Sequence, residues 1–221
     1  MREVKGLIFD MDGTMFDTEP ISIRAMQYAA KKHHIALPME MIYGFMGLPG
    51  AEIRRRFEAA FPPEQLDFDA YLKDKIAYQD HVIAENGVPI KPGLSEVLAY
   101  AKEKKIPCAV ATSTNRQRAT SLITQSGLIS YFSAIVCGNE VAHGKPAPDI
   151  FLRAAEEIHV SPACCIGIED SKNGITALHR SPMLGVLIPD VIVPDAAMLD
   201  AADLKMESLF DFLEYLKKMA N

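Results

Sequence analysis

The chain has 221 residues and a formal net charge of −6, with 23 Lys and Arg against 29 Asp and Glu. This length fits one domain with an insertion or two small domains, and the excess of acids argues against a nucleic-acid partner. No apolar run approaches the ~20 residues that span a bilayer, so we expect a cytoplasmic protein without a membrane partner. The four cysteines show no C-x-x-C pair and no zinc-finger spacing, which indicates buried, reduced thiols.

The first predicted strand is the apolar run 4–10, and the next strand-like run begins only at Cys108. Most of the sequence between them carries apolar residues at helical spacing. Helices are predicted at 20–34, 38–44, 49–61 and 68–85. We therefore predict a helical domain over 17–86 that is inserted into a core formed by 1–16 and 87–221.

From Cys108 onward, short apolar runs alternate with helix-like segments. The predicted strands are 108–113, 133–138, 164–170 and 183–189, and the accompanying helices are 93–105, 115–126 and 148–158. The apolar runs are continuous rather than alternating, as strands covered on both faces require. The pattern predicts an α/β fold with a doubly wound, parallel sheet.

Polar residues follow the apolar runs where the predicted strands end. Open α/β sheets bind ligands outside the carboxyl ends of their strands, so these residues are candidates for a functional site. They are Asp10, Asp12, Thr112, Ser113, Thr114, Asn115, Glu169 and Asp170, together with Lys145 from a Gly-Lys-Pro loop. If strand geometry persists beyond residue 10, the carboxylates of Asp10 and Asp12 leave on the same face and meet one substrate.

The acids predict a cation site. Asp10, Asp12 and Asp170 would repel one another in one cleft unless a cation lay among them. A few carboxylates combined with waters and a substrate phosphate suit Mg²⁺ better than Ca²⁺ or Zn²⁺. Glu169 is a weaker candidate ligand, because Glu169 and Asp170 can also cap the helix that begins near Ser171.

A phosphate group next to carboxylates needs positive charge and hydrogen-bond donors beyond the metal. Lys145 offers a point charge, and Thr112 offers a hydroxyl. The backbone amides of Ser113 and Thr114, at a predicted helix start, offer further donors. Together these residues predict a site for a small phosphorylated metabolite.

Five motifs resemble those of the haloacid dehalogenase superfamily, in its branch of β-phosphoglucomutases and sugar-phosphate phosphatases. They are DMDGT at 10–14, FDTEP at 16–20, ATST at 111–114, GKPAPDIF at 144–151 and GIEDSKNG at 167–174. They occur in the family's order and spacing and extend over essentially the whole chain. The resemblance implies a Rossmann-like core and a helical cap that serves as a substrate lid.

The resemblance also implies roles for individual residues. Asp10 resembles the nucleophile that forms an aspartyl-phosphate, and Asp12 resembles the general acid and base, whose backbone carbonyl also binds Mg²⁺. Thr112 and Lys145 resemble the phosphate binders, and Asp170 resembles the metal-binding acid. Dehalogenation is disfavoured, because the resemblance implies that dehalogenases lack an aspartate at position 12.

Two phosphoryl acceptors remain open, since water gives a phosphatase and a sugar hydroxyl gives a mutase. Similar mutases carry a histidine where this chain has Ser22, and an arginine after a cap-loop glycine where it has Gly47-Leu48-Pro49-Gly50. The arginines at 54–56 could serve instead or form an exposed helix face. We therefore favour a phosphatase acting on a phosphate monoester such as a sugar phosphate, with a β-phosphoglucomutase-like mutase as the alternative.

A phosphorylation-dependent receiver module also combines clustered Asp, Mg²⁺, a hydroxyl residue and a Lys. Such a module needs only one compact α/β unit, so the predicted insertion argues against it. A scaffold that has lost catalysis is disfavoured by the complete set of acids. We expect the protein to be a monomer or a weak homo-oligomer.

Overall fold

The computed structural model describes residues 3–46, 48 and 50–219. The chain divides into two compact units, of which one runs through Asp17 and resumes at Pro89, and the other is Thr18–Val88. The second unit covers nearly the same stretch as the predicted helical insertion, 17–86. Its role as a substrate lid stays a prediction.

The first unit contains a six-stranded parallel sheet. Its strands are β1 (Gly6–Phe9), β2 (Cys108–Thr112), β3 (Phe132–Cys137), β4 (Cys165–Glu169), β5 (Leu184–Leu187) and β6 (Leu204–Lys205). The strand order is β3-β2-β1-β4-β5-β6, so the order reverses between β1 and β4. The predicted α/β class with a parallel sheet is confirmed, and all five predicted strands form within two residues of their expected bounds.

The helices fall into two groups, one in each unit. Those of the second unit are α1 (Glu19–Lys32), α2 (Met39–Phe45), α3 (Gly50–Ala60) and α4 (Phe68–Asn86). Those of the first unit are α5 (Leu94–Glu103), α6 (Arg116–Gln125), α7 (Asp149–Glu157), α8 (Lys172–His179), α9 (Ala196–Ala201) and α10 (Leu209–Met219). Among the described residues, no helix combines the length and apolar character that crossing a membrane would require.

The central strands are covered on both faces, which explains their continuous apolar sequences. Every residue of β1, β2 and β4 is buried. Ile8 packs in one core cluster with Phe151 of α7 and Leu178 of α8. Leu7 and Phe9 are also fully buried, and alternation along the strand directs them to the opposite face. The carboxyl ends of these strands are therefore held rigidly by the core.

The second unit has a core of its own, built around Phe57 of α3. The ring centroid of Phe57 lies 4.5 Å from that of Tyr71, 5.2 Å from those of Phe61 and Phe68, and 5.6 Å from that of Phe45. Aromatic pairs at these separations add to the free energy gained by burying the rings. This unit is thus stabilised by an aromatic cluster of its own.

Helix α3 also carries the three consecutive arginines, of which Arg54 lies 4.5 Å from the ring centroid of Phe68. Arg55 and Arg56 each bond Glu52 at 2.7 Å. Arg54 bonds Glu58 at 3.1 Å and also contacts Asp69. The arginines therefore pair with acids of their own unit. Gly47 and Pro49 of the cap-loop comparison lie outside the described residues.

Candidate active site

The chain leaves β1 directly into Asp10 and a tight turn. The strand ends at Phe9, so regular strand geometry does not persist to Asp12, which forms an isolated bridge with Phe16 across the turn. Gly13 has a φ of 88°, and a Cβ there would collide with the carboxylate of Asp170. Glycine is therefore required both by the turn and by the approach of the end of β4.

Lys145 connects the ends of three strands. Its ammonium donates hydrogen bonds to the Asp10 carboxylate after β1, to the carbonyl of Ala111 in β2 at 3.0 Å, and to Oε1 of Glu169 in β4 at 2.6 Å. It also lies 4.9 Å from the ring centroid of Phe151. The Lys145 side chain is only 5% exposed. The Gly-Lys-Pro loop thus places a buried cation at the sheet's switch point, where open sheets bind ligands.

Glu169 is fully buried, and hydrogen-bond donors surround its carboxylate. Lys145 donates to Oε1, while Oε2 accepts from the amides of Asp170 at 3.0 Å and Ser171 at 2.9 Å, and from the Ser171 hydroxyl at 2.9 Å. A Cβ at Gly174 would collide with this carboxylate. The cap of α8 is Ser171, whose hydroxyl accepts the N–H of Gly174, so the helix-capping interpretation of Glu169 is wrong. Glu169 is instead the anchor of Lys145.

Asp170 lies beside Asp10 where the strand order reverses. Asp10, Glu169 and Asp170 each offer a carboxylate oxygen, and these atoms lie within 4.8 Å of one another. Oδ1 of Asp170 also accepts a hydrogen bond of 3.0 Å from the hydroxyl of Thr14. Sequence reasoning missed this role of Thr14. The residue belongs to the DMDGT motif, which is the one signal that could have pointed to it.

The buried cluster carries more negative than positive charge. Burial, opposed by Lys145, raises the pKa of Asp10 to about 8, and Glu169 and Asp12 add to the rise. Burial also raises the pKa of Asp170, with further contributions from Glu169 and Asp10. Burial lowers the pKa of Lys145, but the charges of Asp10 and Glu169 outweigh this effect, so its pKa is raised. All three shifts favour bound protons, which is what an excess of buried negative charge demands.

This donor set fits a divalent cation. Three carboxylates around one ammonium leave a net negative charge that such an ion would offset. The available ligand atoms are hard oxygens, and Mg²⁺ binds through one or two carboxylates while it keeps several waters. Asp10 and Asp170 suit this role better than Glu169, because donors already occupy both Glu169 oxygens.

The loop after β2 approaches Asp12. The hydroxyl of Thr114 donates a hydrogen bond of 2.9 Å to Oδ2 of Asp12, and its amide donates one of 3.1 Å to Oγ1 of Thr112. Thr112 is buried, whereas Ser113 is exposed. Asn115 caps α6, since its side chain accepts a backbone N–H of the first turn. The structure thus brings Asp12 and Thr114 together, and it gives Asn115 a local structural role.

Comparison with known proteins agrees with this architecture. The family model described as haloacid dehalogenase-like hydrolase matches residues 7–186. The chain is 31% identical over 175 residues to the "Phosphorylated carbohydrates phosphatase" of Thermotoga maritima, covering 79% of this chain and 80% of that protein. It is 33% identical over 196 residues to the "Probable pseudouridine-5'-phosphatase" of Drosophila melanogaster, covering 86% and 84%.

A solved structure is similar over almost its full length. The crystal structure of a putative β-phosphoglucomutase from Thermotoga maritima has a TM-score of 0.81 and 28% identity, over 97% of this chain and 99% of that one. The match to the family, the parallel sheet and the acids at its switch point lead to one conclusion. The chain belongs to the haloacid dehalogenase-like hydrolases, as the resemblance of its motifs predicts.

Proposed function

We propose that this protein is a Mg²⁺-dependent phosphatase that hydrolyses a small phosphate monoester, such as a sugar phosphate, through an aspartyl-phosphate on Asp10. The observation that carries the proposal is the buried cluster in which Lys145 bonds Asp10 and Glu169, with Asp170 alongside. Such a cluster unites a carboxylate nucleophile, a cation for phosphate oxygens and oxygen ligands for a metal. The names of the two phosphatase relatives support the same reaction class.

The proposed first step forms a bond between an Asp10 oxygen and phosphorus while the bond from phosphorus to the ester oxygen breaks. Asp12 gives its proton to that leaving oxygen, which departs as an alcohol. In the second step, Asp12 takes a proton from the water that attacks phosphorus. The bond between Asp10 and phosphorus breaks, which releases inorganic phosphate and restores the Asp10 carboxylate. The Thr114 hydroxyl at Oδ2 of Asp12 would orient this acid and base.

The phosphate oxygens would be bound by Lys145, the Thr112 hydroxyl and the amides of Ser113 and Thr114. Asp10, Asp170 and the backbone carbonyl of Asp12 would hold Mg²⁺, whose charge would offset that of the phosphate. Glu169 would act through Lys145, because their bond of 2.6 Å holds the ammonium next to Asp10.

A β-phosphoglucomutase-like mutase is the second candidate. The likeness to a structure titled putative β-phosphoglucomutase favours it, and both reactions would use the same residues of the core. Against it, the arginines of α3, which could have bound a second phosphate, pair with Glu52, Glu58 and Asp69. Water is therefore the acceptor that we favour.

The reaction can be tested with a panel of sugar and nucleoside monophosphates, by measuring both free phosphate and isomerised sugar phosphate. We expect stoichiometric phosphate release that EDTA abolishes and Mg²⁺ restores. An Asp195→Asn variant, which changes an exposed carboxylate paired with Lys172, is the matched control and should retain full activity. Isomer without stoichiometric phosphate would establish the mutase, and turnover in EDTA would contradict the metal requirement.

A further inference from the structure

A second acid lies at the same edge of the sheet, in the loop that follows β5. The backbone N–H of Ile188 donates a hydrogen bond of 2.8 Å to the carbonyl of Glu169, so this loop runs alongside the end of β4. Two residues later comes Asp190, whose side chain is 10% exposed. The acid therefore lies close to the carboxyl end of β4, although none of the family-like motifs contains it.

The two carboxylate oxygens of Asp190 have different surroundings. Oδ1 accepts a hydrogen bond from the ammonium of Lys91, which also lies 3.5 Å from Oδ1 of Asp17. Oδ2 is buried, and it has no hydrogen-bond partner among the described residues. A buried carboxylate oxygen without a donor is costly, so such an atom indicates a donor supplied by water or a ligand.

Lys91 gives Asp190 a defined position. The backbone N–H of Lys91 donates a hydrogen bond of 2.9 Å to the carbonyl of Met15, which ties it to the segment that follows the Asp10 turn. The Lys91 side chain is largely buried, and a fixed ammonium holds one oxygen of Asp190 in place. The second oxygen, Oδ2, can therefore accept a hydrogen bond from another donor.

Asp190 lies near the acidic cluster but outside it. The loop that carries Asp190 is hydrogen-bonded to the backbone carbonyl of Glu169, which immediately precedes Asp170. Yet the described residues whose ligand atoms come within 4.8 Å of one another are Asp10, Glu169 and Asp170, without Asp190. This arrangement suits an acid that reaches the metal through a water molecule, and Mg²⁺ usually keeps several waters.

We propose that Asp190 is a positioning residue of the metal centre, whose Oδ2 accepts a hydrogen bond from a water bound to the cation held by Asp10 and Asp170. Lys91 orients Asp190 for this contact. The inference rests on the metal centre of the proposed function. It adds a partner for metal-bound water, and such outer partners typically change metal affinity by about 10- to 100-fold.

The test is Mg²⁺ binding to the metal-free enzyme without substrate, measured by calorimetry. In Asp190→Asn, the amide oxygen would face Lys91 and the NH₂ group would replace Oδ2, so a donor would stand where an acceptor is needed. We expect the dissociation constant for Mg²⁺ to rise about 10-fold or more. Asp17→Asn, which changes the more exposed partner of Lys91, should leave it unchanged.

A double variant, Lys91→Met with Asp190→Leu, separates this effect from misfolding because it removes both partly buried charges together. We expect it to keep its melting temperature in EDTA and to show the same loss of affinity. Unchanged affinity in the Asp190 variants, with binding lost in Asp170→Asn, would overturn this inference and leave the proposed function intact. If Asp170→Asn binds Mg²⁺ like the unmodified protein, the proposed metal centre itself is wrong.

Discussion

Two clusters in this protein each combine acidic with basic side chains, and they differ in burial. On α3, Glu52 bonds Arg55 and Arg56, and these side chains are 29%, 69% and 47% exposed. At the edge of the sheet, Lys145 bonds Asp10 and Glu169, whose side chains are 10% and 0% exposed. Exposed pairs contribute little because water screens them, whereas buried charges lose hydration and depend on their partners.

The pKa of the carboxyl group moves in opposite directions in the two clusters. Hydrogen bonds from Arg55 and Arg56 lower the pKa of Glu52 to about 2. Burial raises the pKa of Asp10 to about 8 although Lys145 opposes the rise. An ion pair alone therefore does not mark a functional site. Burial of acids with too few cations does, because it leaves a negative charge for a metal cation to neutralise.

The largest effect that this comparison predicts concerns Asp10. We expect Asp10→Asn to lower kcat by on the order of 10⁴-fold or more, because the amide is not a nucleophile. Its melting temperature in EDTA should be retained, since the amide is uncharged like the protonated carboxyl group that burial favours. Steady-state kinetics and a thermal melt check both statements. Turnover close to that of the unmodified enzyme would remove Asp10 from the reaction.

The next effect is on stability, through Lys145. Lys145→Met leaves Asp10 and Glu169 buried without their cation, which should lower the free energy of unfolding by about 3–5 kcal/mol at neutral pH. Urea denaturation measures the loss. The matched control is Lys172→Met, whose ion pair with Asp195 is exposed and has a length of 2.6 Å. Equal losses of unfolding free energy in the two variants would show that the buried cluster of Lys145 stabilises the fold no more than an exposed ion pair does.

A smaller effect follows from pH and metal removal. The pKa of Asp10 is about 8 in the folded protein against an ordinary 3.8, so the folded state holds a proton that the unfolded state releases. The stability of the metal-free protein should therefore fall as pH rises from about 4 to about 8. The gain in stability from Mg²⁺ should be largest near pH 8, where the ion no longer competes with that proton.

Melting temperatures across this pH range, in EDTA and in Mg²⁺, provide the measurement. Asp10→Asn is the control, because it removes one of the two carboxyl groups whose pKa is raised and should lessen the decline. A metal-free melting temperature that rises between pH 5 and pH 8, equally in both proteins, would show that other groups govern the pH dependence.

The smallest effect is expected at Glu52. Its lowered pKa gives a contribution to stability that is present above the ordinary 4.5 and is lost as pH falls towards about 2. Because the cluster is exposed, Glu52→Gln should change the melting temperature at pH 7 far less than Lys145→Met. High salt should reduce even that change. If Glu52→Gln lowered the melting temperature as much as Lys145→Met, the predicted difference between the exposed and the buried cluster would be wrong.

Much of the fold could be predicted because the burial of a strand or helix determines the pattern of apolar residues in its own sequence. Strands covered on both faces need continuous apolar runs, and the runs at 4–10 and 164–170 correspond to β1 and β4. The edge strand β6 has only two residues, Leu204 and Lys205, too few to produce a periodic signal. Regular strand geometry does not persist to Asp12, because β1 ends at Phe9 and the chain then turns at Gly13.

The candidate site could likewise be predicted only in part. Sequence by itself determined which residues end the strands, because Asp10 and Asp170 follow apolar runs whose carboxyl ends must share one edge. Only the tertiary structure decided that Lys145 lies between Asp10 and Glu169 and that Thr14 bonds Asp170. It also decided that one oxygen of Asp190 has no hydrogen-bond donor in the part of the chain that the structure describes. The physical reason is that periodicity records the direction of a side chain along its own element. The contacts between loops that lie 135 or 156 residues apart depend on how the whole sheet assembles.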